Sequence, residues 1–201
     1  MGGPCWLKEL DEEDGEYVYS AGPECTDNFQ VRPFRFEGQV WQSVEQCYQA
    51  LKFADRGMRE RIRRIEKKSS ESDGEHGVRC WKEGQSSTDV RPDWDAVKLE
   101  IMYRANVSKY RQHPDLQVQL LSTGVTEIEG GASTAWTTKA GSRMKWSDWN
   151  GKVQMRIREE LRPEADRQPG LLDSLVKEFD DYLVSEGGCD LPVPEIEPAV
   201  A

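Results

Sequence analysis

Apolar residues recur at helical spacing through most of this 201-residue chain, which restricts the fold to a mainly helical one. Start signals support several segments: Ser43 is followed by Gln46 three positions later, and Pro92 and Pro114 lie near the starts of two others. The predicted helices cover residues 43–53, 55–68, 92–110, 114–124, 153–161 and 172–183. Short strands are predicted at 17–19, 34–36 and 39–41. The sequence therefore predicts a single α+β domain, mainly α-helical, with a few short strands near the N-terminus.

Charge is distributed unevenly along the chain, whose net charge is −10. Residues 1–16 hold one basic and six acidic side chains, and residues 159–201 hold three basic and twelve acidic ones. We expect a mobile acidic arm over 1–16, a folded domain over 17–162 and a C-terminal helix over 163–185 packed on it. Residues 186–201, with three prolines and few large apolar side chains, are predicted to be a disordered tail.

Two stretches between the predicted helices are rich in loop-forming residues. Residues 69–90 contain many Ser, Gly and charged residues and are predicted to form a surface loop. Residues 124–150 interleave Gly, Ser and Thr with Trp136, Trp146 and Trp149. Because long loops inside compact domains are often functional, we interpret 124–150 as a functional loop.

The composition argues against several classes of protein. No apolar run approaches the roughly 20 residues of a membrane span, so no membrane partner is expected. The five cysteines include no Cys-x-x-Cys pair and the two histidines are far apart, which disfavours a disulfide scaffold, a metal site and a histidine triad. We expect reduced thiols, no metal, no cofactor, a monomer, and a cytoplasmic or nuclear location. The acidic net charge disfavours non-specific nucleic-acid binding.

The predicted helix 43–53 carries a pattern suited to catalysis. At about 100° per residue, Glu45, Gln49 and Lys52 share one face, and apolar residues gather on another that would face the core. Glu45 and Lys52 are about 10 Å apart along the axis, and a lysine side chain leaning toward the helix N-terminus closes most of that gap. A carboxyl group and an amine could therefore converge on one ligand. The alternative, from periodicity alone, is that this face is a solvated polar surface.

Several segments, in order, resemble the NADAR family, the YbiA-like N-glycosidases. Residues 36–53 resemble its longest motif, G-x-x-W-x-[ST]-x-E-x-x-[YF]-Q-A-x-K-F, and this is the most specific match. Asp27-Asn28-Phe29 resembles the family's S-N-F, and Trp94 to Lys98 resembles W-x-x-V-K. Residues 120–124 resemble a later family segment, and Trp136 resembles the tryptophan of the substrate loop. The resemblance covers roughly residues 17–162.

This resemblance implies an N-glycosidase acting on ADP-ribose derivatives, with Glu45 as the essential glutamate and Lys52 as the lysine. Gly84 matches a family Gly-Arg pair only loosely, because Gln85 replaces the arginine. Ser133 lies where many bacterial members have an aspartate. From the residues alone, Arg143 is a candidate phosphate contact if the 124–150 loop folds over the pocket. The candidate substrate-binding residues are Asn28, Phe29, Gln49, Gly84, Trp94, Ser133, Trp136 and Arg143.

The family chemistry favours removal of ADP-ribose from guanine through a Schiff base on Lys52, with Glu45 shuttling protons. The partner would be an ADP-ribose-containing small molecule, or ADP-ribosylated guanine in a nucleoside or nucleic acid. Burial, or a neighbouring cation such as Arg56, could lower the pKa of Lys52 as this chemistry requires. One alternative is hydrolysis of a ribosylamino-pyrimidine of the riboflavin pathway. Another, because Ser133 replaces a carboxylate, is an ADP-ribose-binding module without turnover.

Since Glu45 and Lys52 are predicted to lie on a face outside the core, we expect alanine variants at both positions to fold.

Overall fold

The computed structural model describes residues 3–187 of the protein. This part of the chain forms seven α-helices and seven short strands, so the prediction of a mainly helical α+β fold is confirmed. The strands are β1 (Trp6–Leu10), β2 (Tyr17–Ala21), β3 (Phe34–Phe36), β4 (Gln39–Trp41), β5 (Glu127–Glu129), β6 (Ala135–Thr137) and β7 (Arg143–Lys145). The helices are α1 (Val44–Leu51), α2 (Arg56–Arg63), α3 (Asp73–Gly84), α4 (Trp94–Gln112), α5 (Pro114–Leu121), α6 (Trp146–Leu161) and α7 (Leu171–Ser185).

Helix α1 lies at the centre of the molecule, packed against α2, α3 and α4, and all eight of its residues are buried. The Ser43 hydroxyl caps its start by accepting a hydrogen bond from the Gln46 amide, as the sequence predicts. The Gln46 side-chain nitrogen lies 3.0–3.2 Å from the carbonyl oxygens of Ile62, Arg63 and Ile65. This contact satisfies carbonyl groups at the end of α2 and fixes α2 against α1.

The prediction of a surface loop over residues 69–90 is wrong, because residues 73–84 form helix α3. Its start is a capping box between Ser72 and Glu75, a signal that the sequence contains. Glycines made the stretch resemble a loop, but two of them permit close packing instead. A Cβ on Gly77 would lie 2.3 Å from Cγ of Phe29, so only glycine lets α3 approach that ring.

The expected mobile arm over residues 1–16 is also wrong, because Trp6–Leu10 is the central strand of an antiparallel sheet ordered β2-β1-β5. Leu7 pairs with Ile128 on the side facing the core, where Ile128 is fully buried. Trp6, which we expected on the arm, occupies the partly exposed outer face of this sheet. The acidic residues 11–16 form the β1–β2 turn, so their charge marks a hairpin turn and not a disordered end.

Residues 124–150, interpreted as one long loop, hold three short strands and the start of α6. Strand β5 joins the sheet of β1, whereas β6 and β7 form a separate two-stranded hairpin. Helix α7 packs on α4 and α6. Glu186, the first residue of the predicted tail, is buried, and positions 188–201 lie outside the described residues.

Within residues 3–187, no helix is both long enough and apolar enough to cross a membrane.

Candidate active site

Glu45 is a fully buried carboxylic acid in the first turn of α1. Its Oε1 accepts a 2.8 Å hydrogen bond from Nε2 of Gln49, one helical turn later. Its Oε2 is buried without a hydrogen-bond partner among the described residues. Burial raises the pKa of the Glu45 carboxyl above its usual range, and the Gln49 hydrogen bond opposes that rise. The carboxyl therefore has one oxygen held in place and one available for a proton transfer.

The interpretation of this helical face as a solvated surface is wrong, because α3 covers it. Glu45 and Gln49 are both buried, and only Lys52, the C-cap residue, is partly exposed. The expectation that Glu45 lies outside the core is therefore also wrong. Replacing Glu45 by alanine would leave a cavity and remove a buried hydrogen bond, so that change also tests stability.

Lys52 lies two turns after Glu45 and is half-buried. Its Nζ donates a 3.0 Å hydrogen bond to the carbonyl oxygen of Gly84, the last residue of α3. Burial lowers the pKa of Lys52, and the nearby Glu45 charge partly restores it. Arg56, the cation considered from the sequence, is exposed at the start of α2 and is not among the causes of this shift. A lowered pKa increases the fraction of neutral amine at neutral pH.

Gly84 connects the two candidate catalytic groups. A Cβ at this position would lie 2.0 Å from Oε1 of Gln49, so the contact between α3 and α1 requires glycine. The same residue accepts the hydrogen bond from Lys52, while Gln49 holds Glu45. Glu45, Gln49, Gly84 and Lys52 thus form a continuous series of contacts that orients an acid and an amine together. Gly84 acts through its small size and its carbonyl group.

Aromatic rings extend from α1 toward the β6–β7 hairpin. The ring of Tyr48 lies 4.8 Å from that of Trp94 and 5.4 Å from that of Trp146, between centroids. Trp146 in turn lies 5.0 Å from Trp136, the hairpin tryptophan. The Lys98 ammonium lies 4.3 Å above the Trp136 ring. Trp94 and Trp136 are each partly exposed and offer flat surfaces on which a base can stack.

Asn28 and Phe29 support α1 from outside the catalytic pair. The backbone oxygen of Asn28 accepts a 2.9 Å hydrogen bond from the Glu45 amide, which satisfies a donor in the first turn of α1. The Asn28 side chain is buried and bonded to Asn106 and Asn150. Phe29 packs on Gly77 of α3. Through these contacts Asn28 and Phe29 position α1 and α3. Direct contact of either residue with a substrate stays a prediction.

Ser133 and Arg143 lie on the hairpin side of the site. Both are exposed, Ser133 just before β6 and Arg143 in β7, where it pairs with Thr137. Neither forms a hydrogen bond with Glu45 or Lys52 among the described contacts. Their roles toward a substrate therefore remain predictions that depend on how the hairpin meets the ligand.

Sequence reasoning missed several residues around the site. Cys80 lies on the α3 face that covers Glu45, and burial, reinforced by the Glu45 charge, raises the pKa of its thiol to about 12. Lys98, within the Trp94–Lys98 segment, is buried beneath Trp136 and bonded to Asp95. Tyr182 of α7 also reaches Trp136, at 6.2 Å between ring centroids. The helical period of α3 was the signal for Cys80. No local signal marks Tyr182, because it belongs to α7 and reaches Trp136 through long-range packing.

A groove of about 270 Å³ is lined by residues that follow α1 and α3 in the chain and by residues of α2. Its lining includes Phe53, directly after Lys52, and Ser86 and Ser87, shortly after Gly84. Asp55, Met58, Arg61 and Asp89 complete it. Lys52 and Glu45 are not among the residues that line this groove, although Phe53 follows Lys52 directly in the chain.

A family model and two curated proteins resemble this chain over most of its length. A family model described as NADAR domain matches residues 11–162. N-glycosidase YbiA of Shigella flexneri serotype 5b is 30% identical over 137 residues, covering 68% of this chain and 81% of that protein. An N-glycosidase of Nostoc punctiforme is 30% identical over 138 residues, 69% of this chain and 85% of that protein.

Two further similarities are to a longer protein and to a solved structure. A riboflavin biosynthesis protein of Vibrio vulnificus is 29% identical over 165 residues, which cover 82% of this chain but only 40% of that protein. The NMR structure of the Escherichia coli protein YbiA superposes with a TM-score of 0.53 at 26% identity, covering 69% of this chain and 77% of that one.

Proposed function

The chain belongs to the NADAR domain family and is a hydrolase of N-glycosyl compounds, and from this premise we propose that it releases ADP-ribose from guanine. The observation that carries the proposal is the pairing of Glu45 and Lys52. A buried carboxyl group with one free oxygen lies two turns from a half-buried amine, and Gln49 and Gly84 orient both. The partner is an ADP-ribose-containing small molecule, or ADP-ribosylated guanine in a nucleoside or nucleic acid.

The first step breaks the bond between the ribose anomeric carbon and the exocyclic guanine nitrogen. Glu45, whose pKa is raised by burial, supplies the proton that lets guanine leave as a neutral amine. The neutral amine of Lys52 attacks the anomeric carbon, and the sugar ring opens as the carbon–nitrogen double bond of a Schiff base forms. The proton that Lys52 loses passes through Glu45 to the ring oxygen, which becomes a hydroxyl group, so Glu45 ends this step as a carboxylate and the Schiff base as its protonated form.

The second step releases the product. Water adds to the Schiff-base carbon, with Glu45 moving the proton, and the carbon–nitrogen bond to Lys52 breaks. ADP-ribose leaves and Lys52 is again a free amine, so no cofactor is consumed. For this cycle Lys52 has to leave its hydrogen bond to the Gly84 carbonyl, which its partly exposed, flexible side chain permits.

The aromatic surfaces account for binding of the rest of the substrate. Trp94 lies at the start of α4 and Trp136 on the β6–β7 hairpin, on either side of Tyr48 and Trp146. We assign these two partly exposed rings to stacking with guanine or adenine, a contact worth about 1–3 kcal/mol per base. Lys98 is a buried cation whose ammonium packs on Trp136, and we assign it to a phosphate contact.

A second candidate function is hydrolysis of a ribosylamino-pyrimidine, favoured by the relationship to the Vibrio vulnificus riboflavin biosynthesis protein. This substrate also has an amine nitrogen on the anomeric carbon of a ribose, so the same pair could act on it. It lacks the adenosine diphosphate part that would use a second stacking surface. Relative turnover of the two substrates therefore separates the functions.

The test is to incubate the purified protein with ADP-ribosylated guanosine and, separately, with the ribosylamino-pyrimidine, and to follow product release by chromatography. We expect guanosine and ADP-ribose to appear and Lys52→Ala to abolish their release. Faster turnover of the pyrimidine would support the second function. Binding of ADP-ribose without turnover of either substrate would show a binding module instead and overturn both enzyme proposals.

A further inference from the structure

The β6–β7 hairpin, which carries Trp136, is held by contacts outside its own strands. It is a two-stranded unit that pairs with no other strand among the described residues. Isolated two-stranded hairpins are marginally stable in water, so this one needs external packing to keep a fixed position. At its base, Trp136 packs against Trp146 of α6 and over the Lys98 ammonium.

The other end of the hairpin is bonded to the C-terminal end of α7. The Lys139 backbone amide, in the β6–β7 turn, donates a 3.0 Å hydrogen bond to Oε1 of Glu186. The Lys139 ammonium donates a second one, of 2.5 Å, to the Glu186 backbone oxygen. Glu186 is only 1% exposed whereas Lys139 is exposed, so the two bonds are partly shielded from water. Two bonds from one residue fix the turn relative to the end of α7.

The end of α7 is itself attached to the framework of the site. The Tyr182 hydroxyl donates a 2.5 Å hydrogen bond to the backbone oxygen of Asp95, in the first turn of α4 directly after Trp94. The Tyr182 ring packs edge-on against Trp136 and against Trp149 of α6. Tyr182 therefore contacts the elements that carry both candidate stacking tryptophans.

Tyr182 and Glu186, which make these contacts, both lie beyond residue 162, where the family match ends. We propose that Tyr182 and Glu186 are positioning residues that hold Trp136 in place, and that they thereby set the affinity for the ADP-ribose part of the substrate. The inference deepens the proposed function, because it rests on the assignment of Trp136 to substrate binding. It adds that affinity is controlled by a segment outside the family domain.

The test compares Glu186→Ala with Glu186→Gln in the full-length protein. The glutamine side chain retains an oxygen that can accept the Lys139 amide hydrogen bond, whereas alanine removes it. We expect Glu186→Ala to raise KM for ADP-ribosylated guanosine and Kd for ADP-ribose about five- to tenfold, with kcat within twofold of wild type. Glu186→Gln restores values within about twofold. Hydrogen exchange of amides 135–145 is expected to quicken in the alanine variant only.

A double-mutant cycle separates failure of this inference from failure of the proposed function. If Trp136 is the residue that Glu186 positions, Glu186→Ala has no further effect on Kd in the Trp136→Ala background. Unchanged hydrogen exchange and affinity in Glu186→Ala, with Trp136→Ala still weakening ADP-ribose binding, would overturn the positioning role alone. Faster exchange with no effect of Trp136→Ala on binding would overturn the assignment of Trp136 to the substrate.

Lys139→Ala serves as a second variant should Glu186→Ala fold poorly. It removes the ammonium bond to the Glu186 backbone but keeps the bond from the Lys139 amide to Oε1. We expect a smaller increase in Kd, about two- to threefold. No change in either Kd or hydrogen exchange of residues 135–145 would contradict the proposal.

Discussion

At the scale of single residues, the proposed chemistry depends on the unequal environments of two ionisable groups, Glu45 and Lys52. Glu45 is fully buried and its pKa is raised, whereas Lys52 is half-buried and its pKa is lowered. Both shifts originate mainly from burial, and each favours the neutral form of its group. A neutral acid and a neutral amine are the forms that the first step requires.

Glu45→Gln is expected to lower kcat by about 10²–10⁴-fold, since general acid–base help is worth that much. The amide keeps the size of the side chain and an oxygen that can accept from Gln49, so the fold should persist. Steady-state turnover and a circular dichroism spectrum together check this. Near-wild-type turnover by a folded Glu45→Gln protein would remove Glu45 from the acid–base role.

The raised pKa of Glu45 also predicts a pH dependence of stability. Between the unfolded pKa of about 4.3 and the higher folded value, the native state binds a proton that the unfolded chain has lost. This contribution of Glu45 is therefore present at low pH and is lost as pH rises through the folded pKa. Relative to wild type, Glu45→Gln should gain stability across that window.

The measurement is urea unfolding of both proteins from pH 4 to pH 8. The effects of other buried acids, such as Asp27 and Glu100, are common to both proteins and cancel in the difference. A difference in unfolding free energy that stays constant over this range would contradict the burial of a titrating Glu45.

At the scale of elements, the packing of α3 on α1 creates the site. The sequence was sufficient to predict α1, because its cap and periodicity are local, and to place Glu45 and Lys52 on one face. It was insufficient to predict their burial, because the covering helix α3 contains three glycines within 74–84 and was interpreted as a loop. The contact with Gly84 depends on long-range packing that no local pattern encodes.

Gly84→Ala is expected to push the Gln49 side chain away and disturb Glu45. Stability should fall by about 1–3 kcal/mol, as for other overpacked sites. We expect kcat per folded molecule, measured at saturating substrate, to fall about tenfold or more, because Glu45 loses its orienting hydrogen bond. The readouts are thermal unfolding and turnover per folded molecule.

Gly77→Ala is the matched control for this change. It also overpacks α3, but against the Phe29 ring, where the new Cβ would lie 2.3 Å from Cγ. It should destabilise the protein while leaving kcat per folded molecule within a few-fold of wild type. Equal losses of kcat in both variants would show that Gly84 has only a packing role.

At the scale of the whole molecule, segments on both sides of the predicted 17–162 domain are part of the structure. Strand β1 lies before it and is the centre of the three-stranded sheet, and α7 lies after it and contacts the aromatic cluster. Composition alone predicts a mobile arm over residues 1–16, where β1 lies. The acidic turn 11–16 dominates the composition there and obscures the short strand that precedes it.

Removal of residues 1–10 is therefore expected to destabilise the protein. Strands β2 and β5 would both lose their hydrogen-bonding partner, the buried Cys5 would be removed from the core, and the buried side chain of Ile128 would lose its packing against β1. A loss of about 2–3 kcal/mol corresponds to a decrease in Tm of roughly 4–12 °C in a protein of this size. An unchanged Tm in calorimetry would be the behaviour of a mobile arm and would contradict the sheet.

In the proposed mechanism, Lys52 forms a covalent bond with the ribose carbon while Glu45 moves protons. The most direct test is to add borohydride during turnover of ADP-ribosylated guanosine and to locate any adduct by peptide mass spectrometry. We expect ADP-ribose attached through a reduced secondary amine to the Lys52 peptide, and no adduct in Lys52→Ala. Continued cleavage by Lys52→Ala, with no adduct on Lys52 in the wild-type protein, would contradict it.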